Sequence, residues 1–110
     1  MRKYLLRLSK TKLETMIEEA TVDCYNESEE SGGWFTMIET NLKFPFKTNI
    51  LGVSAVVERA DLNRRDEIVA ICRRGKHRQA VPILNLPLRS PLPAGVEWIE
   101  AYRHWSIRCG

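Results

Sequence analysis

Two histidines and three cysteines are all the imidazole and thiol groups in this chain of 110 residues. Neither type clusters. Cys24, Cys72 and Cys109 lie far apart with no C-x-x-C, which excludes a zinc ribbon and a dense disulfide framework. Cys24 and Cys72 sit in apolar patterns and read as reduced core residues, while Cys109 reads as exposed. His77 and His104 are isolated from each other, and no nucleophile elbow, P-loop or H-E-x-x-H occurs, so a non-enzymatic protein is expected. No apolar run approaches the roughly 18–20 residues of a membrane span, and no membrane partner is expected. The opening MRKYLLRLSK starts like a signal peptide, but Arg7 interrupts its apolar stretch at Tyr4–Leu8, so no cleavable leader and a cytoplasmic location are expected. Hydrophobic residues make up 44% of the chain, which excludes a disordered polymer and suits a single domain over residues 1–110.

The net charge of +3 hides a sorting of charge along the chain. Arg2, Lys3, Arg7, Lys10 and Lys12 precede an acidic block at residues 13–42 that contains no Lys or Arg. Beyond it the chain is basic again, with Arg64, Arg65 and the run Arg73, Arg74, Lys76, His77 and Arg78. Two readings of the acidic block stand side by side. It is a solvated helical face neutralised by the basic part of the same molecule, or it is a site for a hard divalent cation.

Periodicity places the elements. Ser9 is a plausible N-cap for a helix reaching Cys24, with Leu13, Met16, Ile17, Ala20 and Cys24 on one face. Asn26 to Glu29 has the form of a capping box and starts a second helix through Leu42. Gly32-Gly33 weakens that helix, and implies either a close backbone approach or a bend. After Phe44-Pro45-Phe46 the pattern turns strand-like. Ile50–Val57 reads as one strand with a bulge or bend at Gly52, and Glu67–Cys72 as another. A turn at Arg73-Arg74-Gly75-Lys76 then leads into His77–Val81. A closing helix over about Ala94–Ile107 carries Trp98, Tyr102 and Trp105 as a core stripe. The sum is an α+β domain: an acidic helical part at about 9–42, a small antiparallel barrel at about 44–86, and a closing helix at about 94–107.

Val22-Asp23-Cys24-Tyr25, Gly33-Trp34-Phe35, Glu39, Leu42 and Phe44-Pro45-Phe46 stand in an order that resembles the small bacterial calcium-binding proteins of the CcbP type. Gln79-Ala80-Val81-Pro82-Ile83, Leu86 and the late Trp98…Trp105 segment extend the resemblance over about residues 13–107. It implies an SH3-like small β-barrel with flanking helices that binds Ca2+ without an EF-hand. No D-x-[DN]-x-[DN]-G loop occurs in the sequence. The resemblance makes Asp23, Glu29 and Glu39 the first choice of ligands, with Glu27 and Glu30 second. Members of the family are acidic in the barrel as well, whereas here only Asp61, Asp66 and Glu67 remain in its loops beside Arg64 and Arg65. Weak Ca2+ binding, as buffer or sensor, is the function expected. The alternative is a binding module that uses Arg73, Arg74, Lys76 and Arg78 for nucleic acid or an acidic protein partner.

Overall fold

The computed structural model describes residues 8–109; Arg2, Lys3, Arg7 and the side chain of Cys109 lie outside the described residues. Two helices, α1 (Lys10–Thr21) and α2 (Glu27–Asn41), precede four strands. These are β1 (Phe46–Ile50), β2 (Val53–Leu62), β3 (Ile68–Arg74) and β4 (His77–Pro82). A 3-10 turn at Ile83–Asn85 then leads to α3 (Glu97–Cys109). The order is the expected α+β one.

Both N-caps form as the sequence specifies. The Ser9 hydroxyl accepts from the Lys12 N–H at 3.0 Å, and Asn26 Oδ1 accepts from the Glu29 N–H at 2.8 Å. Helix α1 stops at Thr21, short of the expected Cys24. Val22 is no longer helical, and Asp23 takes the left-handed conformation at φ 59°, which turns the chain into α2. Of the two readings of Gly32-Gly33, the close approach holds, and at Gly33 alone. A Cβ at Gly33 would overlap the Ala20 carbonyl oxygen of α1, whereas one at Gly32 would meet open space.

The strands form an antiparallel meander in the order β1-β2-β3-β4. This sheet is open, which corrects the expectation of a closed SH3-like barrel. A barrel buries its inner face against itself; here the helical layer covers that face, and among the described residues β1 and β4 remain edges. The expected single strand across Ile50–Val57 is also corrected. Leu51 and Gly52, at φ 52° and 79°, form a two-residue turn between the paired Ile50 and Val53, a type I′ hairpin. The bulge lies at Glu58 instead, where the register shifts between Val57 and Arg59. Gly75, at φ 60°, makes the β3–β4 hairpin turn where it was expected.

Trp34 of α2 is fully buried and organises the core. Trp98, Tyr102 and Trp105 of α3 surround its ring, with centroids 6.3, 5.5 and 5.7 Å away. The stripe read as core is core. Helix α3 starts at Glu97, after Gly95 at φ 90° has turned the chain tightly against the Asn41 carbonyl, with Lys43 N–H donating to Ala94 at 2.9 Å. Arg103 ties α3 to the 3-10 turn through a bond from Nη1 to the Leu84 carbonyl at 3.2 Å.

The register divides the sheet into two faces. Val57, Ala60, Ile68, Ala70 and Cys72 point toward the helices and are buried in one cluster with Met16, Trp34, Ile38 and Ile99. Lys47, Arg59, Asp61 and Arg78 stand on the opposite face and are exposed. Among the described residues no helix is long and apolar enough to cross a membrane.

Candidate functional site

The corner between α1 and α2 gathers most of the expected ligands. The left-handed turn at Asp23 and the cap at Asn26 bring Asp23, Glu27, Glu29 and Glu30 onto one short reversal of the chain. Cys24 lies half-buried at its centre, and its Sγ donates toward the carbonyls of Val22 at 3.6 Å and Glu29 at 3.3 Å. Burial pushes the Cys24 thiol pKa up, and the charges of Glu29, Glu30 and Asp23, in that order, push it further. Three carboxylates therefore act on one atom. The Glu29 carboxylate also turns back to accept from the Tyr25 N–H at 2.6 Å, one residue before the position a capping box would use.

Not every expected ligand joins this corner. Glu39 stands about 15 Å farther along α2 than Glu29, at 1.5 Å of rise per residue. It cannot reach the same ion. Glu18 and Glu19, which the sequence did not single out, line an open groove of about 620 Å³ with Val22 of the corner and Met37 of α2. Among the described residues no three His, Cys, Asp or Glu side chains are already placed to cage a metal ion. The corner offers the hard oxygen donors that Ca2+ prefers, and it offers them uncollected.

The expected neutralisation of the acidic helices by the basic strands has no ion pair behind it. Among the described residues, none of the acids at positions 13–42 pairs with a Lys or Arg. The acids of the strand loops serve those loops. Asp61 accepts from the Leu62 N–H at 2.8 Å and lies 3.8 Å from Arg59, and Glu67 accepts from Asn63 Nδ2 at 2.9 Å. Asn63 Oδ1 in turn accepts from the N–H groups of Arg65 and Glu67, while Asp66 takes the left-handed conformation that completes the turn.

The basic hairpin is less free than its sequence suggests. Arg73 and Arg78 face each other across β3 and β4, and both donate to Glu58, at 2.7 and 2.8 Å. Hydrogen bonds from Arg78 and then Arg73 hold the Glu58 carboxyl below its ordinary value of 4.5. Arg74 and Lys76 remain exposed at the turn. Sequence reasoning missed Glu58, because the bulge that aims it at the two arginines has no glycine to mark it.

The comparisons with known proteins agree with this architecture. The family model Calci_bind_CcbP, described as calcium binding, matches residues 14–106. The crystal structure of Anabaena CcbP superposes with a TM-score of 0.75 over 94% of this chain and 95% of that one. The two sequences are 17% identical, so this likeness concerns the fold. No curated protein matches the sequence.

Proposed function

The chain belongs to the CcbP-type family of calcium-binding proteins, and on that premise we propose that it binds Ca2+ at the α1–α2 corner as a buffer or sensor. The observation that carries this reading is the chain reversal between α1 and α2, where the left-handed turn at Asp23 and the cap at Asn26 put Asp23, Glu27, Glu29 and Glu30 close together in the chain with no Lys or Arg paired to them among the described residues. Mutual repulsion among uncompensated carboxylates raises the free energy of the ion-free corner, and a divalent cation relieves it. Asp23 and Glu29 supply the leading oxygens in this proposal. Glu30 and Glu27 supplement them from the first turn of α2. Water completes the six to eight oxygens that Ca2+ takes. Glu39 is left to the solvated face of α2. Because the carboxylates are exposed and not caged in advance, collecting them costs side-chain entropy, and weak affinity follows. The role is binding, with no residue assigned to catalysis.

Calorimetric titration of the chelator-treated protein with Ca2+, with Mg2+ as control, tests the proposal. Saturable heat for Ca2+ is expected from the natural chain, and none from the double variant Asp23→Asn/Glu29→Gln with its circular dichroism unchanged. Undiminished Ca2+ binding in that variant would remove these two residues from the site. Emission from the buried tryptophans separates the two roles. A sensor must move α1 against α2 and so disturb Trp34, whereas a buffer binds with heat and no spectral change.

A further inference from the structure

The two edges of the open sheet are not alike. At β1 the Thr48 hydroxyl donates to the Pro87 carbonyl, and the Arg89-Ser90-Pro91 segment lines a cleft with Phe46 and Lys47. Among the described residues, the backbone of β4 is hydrogen-bonded to β3 alone, and His77, Arg78, Gln79 and Ala80 are exposed. Alternate residues of an edge strand aim their N–H and C=O groups away from the ladder. Strand β4 therefore presents unpaired donors and acceptors, a template for one more strand. Its proline, Pro82, stands only at the strand's end and does not block that edge. Side-chain chemistry beside the edge is sorted by face. On the outer face Arg78 stands opposite Arg73, and the two share one carboxylate, Glu58, at 2.8 and 2.7 Å. Two cations against one anion leave a positive charge at the edge. On the inner face Gln79 stands opposite Cys72, beside a slot of about 30 Å³ that Ile50, Val53, Ala55 and Cys72 also line. The slot has room for about two water-sized groups, the end of one aliphatic side chain.

We propose that β4 binds an extended acidic peptide by strand addition. Opposite Arg78 the added strand carries Asp or Glu on the outer face. Opposite Gln79, one residue along and on the inner face, it carries a small aliphatic residue that enters the slot. The open ladder is what selects a polypeptide among polyanions. A nucleic acid would be drawn to Arg78 but has no N–H and C=O array to continue the ladder. A second copy presenting its own β4 would set two cationic strands side by side, and like charges oppose that pairing.

Fluorescence anisotropy of a labelled, end-capped peptide of alternating Glu and Val, in chelator and at low salt, tests the proposal independently of the calcium reading. Saturable binding is expected. N-methylation of the valines in one probe, and of the glutamates in another, removes the donors of one strand edge at a time and leaves the charge unchanged. One of these probes is expected to lose affinity by at least about tenfold. The other, methylated on its solvent edge, is expected to stay within about twofold of the parent peptide. Arg78→Gln should weaken binding about three- to fivefold, the upper range for an exposed ion pair. Arg78 is exposed, so the variant keeps its fold. Arg64→Gln removes the same charge from the exposed β2–β3 turn and should change affinity by less than about twofold. Three results would overturn the proposal: no saturable binding, equal effects of the two methylation patterns, or competition by oligothymidylate as effective as by unlabelled peptide.

Discussion

The helical layer and the outer face of the sheet carry opposite charge and handle it in opposite ways. On the sheet, some charges are answered locally: Glu58 lies between Arg73 and Arg78, and Asp61 lies beside Arg59. On the helices, among the described residues, no cation answers the acids of positions 13–42. Exposed ion pairs contribute little to stability, so the arrangement on the sheet is chiefly a matter of positioning. An unpaired acidic surface opposes compaction through self-repulsion and favours solubility. The contrast is the reason the cation is proposed for the helices and not for the sheet.

The contrast depends on α1 and α2 lying close enough to form the corner, and Gly33 is where it breaks most readily. Gly33→Ala forces a methyl group against the Ala20 carbonyl and is expected to destabilise the protein by about 1–3 kcal/mol, as overpacking does. The Ca2+ response should weaken with it, because the turn at Asp23 and the start of α2 move apart. Gly32→Ala is the control, one residue away on the same helix. Its Cβ meets open space, and helix propensity predicts a gain of about 0.5–1 kcal/mol. Urea unfolding of both variants measures the two signs. Equal effects would mean that propensity, and not the α1–α2 approach, governs the position.

A smaller effect is expected on the sheet side, at Leu51. This residue is 97% exposed and takes φ 52° in a turn that favours asparagine or glycine. Leu51→Asn relieves the left-handed penalty and removes an exposed apolar side chain, for an expected gain of about 0.5–1 kcal/mol. The Ca2+ titration should not change, since Leu51 belongs to the β1–β2 turn and not to the α1–α2 corner. A coupled change would show that the two regions are not independent.

Leu51 also explains what the sequence concealed. Helix starts were legible because Ser9 and Asn26 carry their own capping atoms. The aromatic stripe of α3 was legible because its spacing puts Trp98, Tyr102 and Trp105 on one face. The first hairpin was not, because leucine at a left-handed position reads as a continuing strand. The bulge at Glu58 was hidden for the same kind of reason: nothing in its residue type departs from strand chemistry. Openness of the sheet depends on whether β1 and β4 meet, a long-range pairing that no local pattern encodes. At the site, charge sorting revealed the acidic block, and the family resemblance suggested Asp23, Glu29 and Glu39 as ligands. Neither conveyed that Glu39 sits several helical turns from Glu29, nor that Glu58 occupies two of the four hairpin cations.

The smallest stability effect, and the sharpest test of the contrast, belongs to Glu58. Arg78 and Arg73 hold its folded pKa below the ordinary 4.5. A depressed carboxylate contributes stability that is fully present above about pH 4.5 and is lost as pH falls through the folded value. Glu58→Gln lacks that contribution at every pH. The melting temperature of the natural chain should therefore exceed that of the variant by a small margin at neutral pH, and the margin should close in acid below pH 4.5. A margin that stayed constant with pH would mean that Glu58 acts by packing at the bulge, not by charge.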